Sequence, residues 1–347
     1  MKRYGNIYEK ICDIDNLRLA HKNARKDKAS YRAVKMVDSN PDYYLTQIRQ
    51  MLLNKTYKVS EYTKQIIYDK GKERELMKLP YYPDRIIQWA IMLQLEPIFC
   101  KVFTNFTCAS LKHRGIHKAS KLVRRYLRDR EGTQFALQID VRKFYPNINH
   151  EILKSLLRRK FKDNDLLELL DLIIDSIPGD IGVPIGSYLS QYLANYYLAY
   201  FDHWLKEEAG VKYIVRYMDD ITIIGDSKAY LHKLRRQMDR YLKEHLKLSL
   251  KGNWQVYQTD VRGIDFVGYR HFHDYTLLRK STYKSFKRKM LKIHRTQTVT
   301  ENLWCSANSY MGWLKWCDSY RLIQKYITPI QALLDAYKQN RKVVKLQ

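Results

Sequence analysis

Apolar and polar positions change period several times along this 347-residue chain, and each change predicts an element. From Val211 to Asp226 the chain reads VKYIVRYMDDITIIGD. Tyr213, Val215 and Tyr217 alternate there, as do Ile221 and Ile223 beyond a polar break at Met218-Asp219-Asp220. Two short β-branched and aromatic runs around such a break predict a β-hairpin. Phe135–Asp140 (FALQID) predicts another short apolar strand that ends in an acid. Apolar pairs at three-to-four spacing (Leu156/Leu157, Leu166/Leu167, Leu169/Leu170, Ile173/Ile174) predict helix over 152–177, stopped by Pro178-Gly179-Asp180. Residues 1–60 read as helices with basic faces, one opening at Pro41-Asp42 and running through Leu53. The stretch 58–68 turns strand-like, and Gly71 breaks it. Further helices are predicted over 121–130, from Ser187 to Trp204, and over 229–246. The last 77 residues read as helical, with Trp304, Trp313, Trp316 and Tyr320 among them.

Composition narrows the partners. Lys and Arg number 63 against 36 Asp and Glu, a formal charge of +27, while 45% of residues are hydrophobic. The chain has material for two or three subdomains, and its charge points to a polyanion, foremost nucleic acid. No run approaches the length of a membrane span, and Met1-Lys2-Arg3-Tyr4 lacks the apolar core of a signal peptide. Cys12, Cys100, Cys108, Cys305 and Cys317 show no CxxC spacing and suit reduced thiols, so a cytoplasmic location is expected. His271-x-His273 has no Cys or His partners nearby and reads as two strand histidines, solvated or stacked. Residues 271–347 carry 15 Lys and Arg against 4 Asp and Glu.

An acidic pair in a turn is ordinarily a solvated turn. Apolar flanks and a very basic chain change that reading for Asp219 and Asp220, because a buried hairpin ending in two carboxylates suits a hard cation such as Mg²⁺. Asp140 offers a third carboxylate. Packed together, the three would repel and raise one another's pKa. Two Mg²⁺ ions about 4 Å apart would remove the repulsion and clamp both oxygens of a phosphoryl transfer. Lys72 and Arg74, two residues apart after Gly71, lie on one side of a predicted strand. They suit a triphosphate, or else a solvated hairpin tip.

With these residues in view, the chain resembles the reverse transcriptases. Tyr217-Met218-Asp219-Asp220 is their YxDD box, and other blocks follow in that family's order over roughly residues 60–320. The resemblance implies an α+β, right-hand polymerase. Residues 1–134 would be fingers, 135–272 a ferredoxin-like palm with an antiparallel sheet and a helical insertion near 152–177, and 273–347 a helical thumb along a template–primer duplex. It implies catalysis by Asp140, Asp219 and Asp220, with the Val141 carbonyl joining them as a ligand to two Mg²⁺ ions. Lys72 and Arg74 match a basic pair that meets the incoming nucleotide, Tyr145 an aromatic steric gate against ribose, and Lys251 a proton donor to pyrophosphate. Phe266-Val267-Gly268-Tyr269 is similar to the primer grip, with Val267 where Leu is usual. Lys121–Arg130 reads as a basic helix toward the template channel.

Ile181–Asn195 (IGVPIGSYLSQYLAN) discriminates within the family. Most members have Gln before the second glycine and Pro after the serine; here those positions are Ile185 and Gln191. Ile-Gly-x-x-x-Ser-Gln resembles the reverse transcriptases of diversity-generating retroelements, with Gly186 permitting close backbone approach to the nascent pair. Membership there implies copying of a template-repeat RNA from dNTPs, frequent misincorporation opposite adenine, an RNA–cDNA duplex, and a basic helical-bundle oligomer, the accessory variability determinant, as partner. A bacterial, archaeal or phage origin follows from the same resemblance. Two alternatives stay open: a retron or group II-like enzyme of ordinary fidelity, and a catalytically inactive RNA-binding protein of the same fold. The sequence shows no ribonuclease H acidic set, no His-Asn-His cluster and no maturase region, which favours the diversity-generating reading over the group II one, and the intact Asp140, Asp219 and Asp220 argue against an inactive protein.

Overall fold

The strands explain how distant segments meet. The structure, a computed structural model, describes residues 2–69 and 72–344, with the side chains of 69, 72, 74 and 342–344 outside that description. Ten strands occur among the described residues: β1 (Thr63–Asp69), β2 (Lys72–Lys78), β3 (Thr107–Cys108), β4 (Phe135–Asp140), β5 (Tyr213–Tyr217), β6 (Asp220–Gly225), β7 (Gln255–Gln258), β8 (Ile264–Phe266), β9 (Tyr269–His271) and β10 (Thr276–Leu278). The mixture of helix and sheet is that of an α+β protein.

The central sheet has the order β3-β5-β6-β4-β7. Apart from the short parallel pair β3–β5, its ladders are antiparallel. β5 and β6 form the expected hairpin, but Asp220 already belongs to β6, so the turn is Met218-Asp219. Four of the five β5 residues and five of the six β6 residues are buried, so both faces are covered. Helix Ile116–Tyr126 covers the Tyr213 end of one face, where the rings of Tyr126 and Tyr213 lie 5.3 Å apart. Helices Tyr188–Tyr197 and Ala199–Glu207 cover the other. The single helix expected over 187–204 is therefore two, divided at Leu198.

The helix expected over 152–177 is also two, His150–Lys160 and Asn164–Ile174. The break has a tertiary cause. Phe161 is fully buried and bridges to Tyr4. Asp163 caps the second helix through the Leu166 N–H and also accepts from the backbone N–H groups of Ile7 and Tyr8. The helices Pro41–Leu53 and Lys228–Leu246 fall where the apolar period puts them.

The apolar core divides in two. One cluster runs without a break from Ile7 to Phe266, joining the N-terminal helices to the central sheet. A second runs from Tyr269 to Leu334, around Phe286, Met290, Ile293 and Ile330. The small sheet β10-β9-β8 straddles the boundary. No described helix is long and apolar enough to cross a membrane.

Candidate active site

β4 runs antiparallel to β6, and the register sets Asp140 opposite Asp220. Met218, at φ 56°, turns the hairpin so that Asp219 falls beside them. The Val141 N–H donates to the Asp219 carbonyl at 3.2 Å, tying the turn to the end of β4. On the other flank the Lys251 N–H donates to the Asp140 carbonyl at 2.8 Å, and its Nζ stands 2.6 Å from Asp140 Oδ2. Thus Asp140, Val141, Asp219, Asp220 and Lys251, separated by up to 111 positions, meet at one strand end.

The electrostatics are those of acids short of positive charge. Burial, then the neighbouring Asp140, pushes the Asp219 carboxyl up to about 6. The same causes, with Asp219 added, push Asp220 up to about 7, and Arg279 offsets only part of this. Asp140 Oδ1 is buried and has no hydrogen-bond partner. Among the described residues no three His, Cys, Asp or Glu side chains are already gathered as a cation cage. Asp140 Oδ2 is instead paired with Lys251. An orphaned carboxylate oxygen beside two protonation-prone carboxylates is an oxygen-only donor set that fits a hard divalent cation.

Behind the turn lies a residue the sequence reading missed. Arg216 and Asp202 are both fully buried. Arg216 Nε and Nη2 donate to the two oxygens of Asp202 at 2.7 and 2.5 Å. Its Nη1 donates to Asn195 Oδ1 at 3.1 Å and to the Met218 carbonyl at 2.8 Å. The Met218-Asp219 turn is therefore anchored to two helices through one guanidinium. An arginine inside an otherwise apolar strand was the available signal.

The Ile181–Ser187 loop closes one side of the site. Val183 N–H donates to the Tyr145 carbonyl at 3.1 Å, and Gly182 N–H to that of Ile148 at 2.8 Å. Tyr145 is partly buried, and burial, then the charge of Asp219, raises its pKa. Ile185 is half-buried in this loop and presents no polar side-chain atom. Gly186 sits at φ +111° with open space where a Cβ would be, so its backbone conformation and the free volume beside it are what glycine supplies. Gly186 and Gln191 line one cavity of about 560 Å³ together with Leu76, Lys78 and Trp89. The Ser187 hydroxyl donates to Gln88 Oε1 at 2.7 Å, joining the loop to helix Ile86–Val102. Lys72 and Arg74 have their backbone in β2, but their side chains lie outside the described residues.

Phe266, Val267, Gly268 and Tyr269 form the β8–β9 turn. Gly268 takes φ +90°, and a Cβ there would come within 2.4 Å of the Trp313 ring. Tyr269 donates to the Trp313 carbonyl at 3.1 Å, so this turn is locked to helix Glu301–Leu314. His271 departs from the solvated or stacked expectation. It is fully buried, bonds Thr276 Oγ1 at 3.2 Å, and is held down to about 3 by burial and then by Arg124. His273 contacts Asp260 and Thr133. The basic helix is Ile116–Tyr126, and its Lys118, Lys121, Arg124 and Arg125 border the β9–β10 loop, not the strand end that carries Asp140, which corrects the template-channel expectation for 121–130.

Carboxylates converging at a strand end and hairpin turn, in a strongly basic chain, form a site suited to cation-assisted phosphoryl transfer. The sequence pattern of the reverse transcriptase (RNA-dependent DNA polymerase) family matches residues 62–271, and the chain belongs to that family. Protein YkfC of Escherichia coli (strain K12) is 24% identical over 243 aligned positions, covering 58% of this chain and 63% of YkfC. The group II intron-encoded protein LtrA of Lactococcus lactis subsp. cremoris is 25% identical over 173 positions, covering 48% of this chain and 28% of LtrA. The chain thus spans less than two thirds of either relative.

Proposed function

We propose that this chain is the RNA-directed DNA polymerase of a diversity-generating retroelement, copying a template-repeat RNA into cDNA mutagenised at adenines. The observation that carries the reading is Ile185, an apolar side chain in the loop joined to Tyr145, followed by Gly186 and Gln191, which line one cavity. A glutamine in that place can hydrogen-bond the incoming nucleotide; isoleucine cannot.

The order β7-β4-β6-β5 in the central sheet, with helices between β4 and β5 and between β6 and β7, supports a ferredoxin-like palm over 135–272. Fingers over 1–134 and a thumb over 273–347 complete the right hand. Asp140, Asp219, Asp220 and the Val141 carbonyl would hold Mg²⁺. Bound there as a pair, Mg²⁺ supplies charge neutralisation and a Lewis acid for the transferred phosphoryl group. Lys72 and Arg74 grip the triphosphate. Tyr145 places its ring against the sugar and so excludes a 2′-hydroxyl. Gly186 and Gln191 shape the floor under the nascent pair. Lys251, beside Asp140, is placed to give a proton to departing pyrophosphate. Residues 266–269 hold the primer end, and the basic thumb follows the RNA–cDNA duplex. The accessory variability determinant is the expected protein partner.

The LtrA match favours a second reading, a group II-like enzyme of ordinary fidelity. One experiment separates the two. Purified protein extends a primer on adenine-rich RNA with Mg²⁺ and four dNTPs, and the cDNA is sequenced. Errors concentrated at template adenines, reduced about two- to tenfold by Ile185→Gln, are expected, because one hydrogen bond contributes about 0.5–1.5 kcal/mol and 1.36 kcal/mol is about tenfold in rate. Accurate copying by the wild type would establish the second reading.

A further inference from the structure

We propose that the chain has a second nucleic-acid site, a basic cavity between helix Ile116–Tyr126 and the β9–β10 loop that takes an unpaired strand. The cavity measures about 650 Å³, within the range of about 300–1,000 Å³ usual for ligand sites.

One wall is a row of cations. Lys118, Lys121, Arg124 and Arg125 line the cavity from one face of the helix, at three- to four-residue spacing, and Arg128 joins them just past its C-terminal end. The other face of the same helix buries Ala119 and Val123. None of the five cations has a carboxylate within ion-pairing distance among the described residues. The two acids of the cavity are committed elsewhere. Asp274 pairs with Arg130, and Asp318 accepts the Thr276 N–H at 2.7 Å. Crowding among the cations is felt. The Lys118 pKa is lowered by burial and then by Arg114, with Arg125 adding to it, and the His117 pKa by burial and then Lys121. Like charges collected in a concavity make a field that a polyanion relieves.

The opposite wall supplies rings. Phe272 and Tyr275 stack with centroids 4.5 Å apart, and Tyr275 is 45% exposed. Beside the row of cations, Lys121 Nζ stands 4.5 Å over the Trp316 ring, whose plane stacks on His117 at 4.7 Å. Cations that track phosphates, next to aromatic faces that accept bases, are the means by which single strands are held. A duplex keeps its base faces covered, so it would use the cations and not the rings. An acidic peptide would do the same, which is why an unpaired strand fits this cavity better than either.

The cavity is apart from the catalytic end. The β9–β10 loop lies at the opposite end of its sheet from the Val267-Gly268 turn. His273 Nε2 is within 2.9 Å of the Thr133 hydroxyl, just before β4 begins. Asp140 ends β4, five residue steps further, or about 16 Å by strand rise. A strand in the cavity therefore need not displace a primer end at the aspartates, and the inference stands whatever the polymerase copies.

The test uses the full chain with its cleft filled by a stable RNA–DNA hairpin ending in a dideoxynucleotide. Fluorescent oligo-uridine and oligo-thymidine 20-mers are then titrated against it. A second binding event is expected, with a log–log salt slope near −3.5 for five phosphate contacts at about −0.7 each. Arg124→Ser/Arg125→Ser/Arg128→Ser should cut the affinity at least tenfold and bring the slope up by about 2. Tyr275→Ala should weaken binding about fivefold or more, from the loss of one stacked base. Extension of an unblocked hairpin should stay at the wild-type rate in both variants. Tighter oligo-uridine assigns the site to RNA and tighter oligo-thymidine to a cDNA strand. The proposal is overturned if no second event appears, if both variants bind the 20-mers like the wild type, or if poly-glutamate displaces them and Tyr275→Ala has no effect.

Discussion

Replacing Arg216 with methionine should damage stability and catalysis by separable routes. The guanidinium and the Asp202 carboxylate are both fully buried and joined by two short bonds. Removing one member of such a pair leaves the other charged and buried, at a cost of about 3–5 kcal/mol. Among the described side chains, Asp202 would retain the Thr107 hydroxyl, at 2.8 Å. The third function of Arg216 is its bond to the Met218 carbonyl, which anchors the turn carrying Asp219. A shift of about 1 Å at reacting groups can slow an enzyme about 100-fold. Urea unfolding should therefore show Arg216→Met less stable by about 3–5 kcal/mol, with primer extension reduced at least tenfold at a denaturant-free temperature where it is still folded. The double variant Arg216→Met/Asp202→Leu removes the orphaned charge, and most of the stability should return because apolar replacements of buried ion pairs are often neutral. Extension should not return, since Met218 is still unanchored. Full extension by the double variant would refute the anchoring argument, and an unchanged unfolding midpoint in the single variant would refute the energetic one.

Other outcomes follow from the same site. Asp219→Asn should reduce dNTP incorporation to below a few per cent of wild type while RNA affinity in gel shift changes little, because binding rests on distributed Lys and Arg contacts. Tyr145→Ala should raise ribonucleotide incorporation relative to deoxynucleotide, measured by competitive extension; an unchanged ratio would make Tyr145 a core residue only. Asp220→Asn should stabilise the protein in EDTA at pH 8 and leave it unaffected near pH 4, as followed by thermal melts. Asp220 has its folded pKa raised from 3.8 to about 7, so its contribution is favourable below about pH 4 and is lost as pH rises through 7; at about 1.36 kcal/mol per unit the gain is at most about 4 kcal/mol.

Much of this was legible in the sequence because the signals were local. The hairpin around Asp219 and the strand ending at Asp140 have short apolar runs bounded by polar residues, and the 41–53 and 228–246 helices have caps and steady periods. The break at Phe161–Asp163 was not legible, because its cause is residues 4–8 docking from more than 150 positions away. Arg216 was read past for a related reason. Its partners Asn195 and Asp202 lie on separate helices, and nothing in the strand pattern says which acid a buried arginine meets. His271 looked like a surface strand residue, since its burial depends on Thr276 and on the helix carrying Arg124.

The three aspartates are alike in the sequence and unlike in the fold, and depth is the reason. The side chain of Asp140 is 38% exposed, and Lys251, at 36%, reaches it from the 249–251 segment on a flexible stem. No ammonium reaches Asp219 or Asp220 among the described ion pairs. Arg279, the cation that lowers Asp220, is itself bound at 2.5 Å to Asp265 Oδ1. Without a divalent ion, the neighbours of Asp140 therefore keep protons into the neutral range. By the proposed mechanism, a divalent cation held by all three carboxylates would displace those protons and compete with Lys251 for Asp140. Lys251, 2.6 Å from Asp140 Oδ2, would then stand where the proposed mechanism needs a proton donor to the leaving pyrophosphate. One ion pair thus serves two states, first as the counter-charge to Asp140 and then, by the proposed mechanism, as the acid.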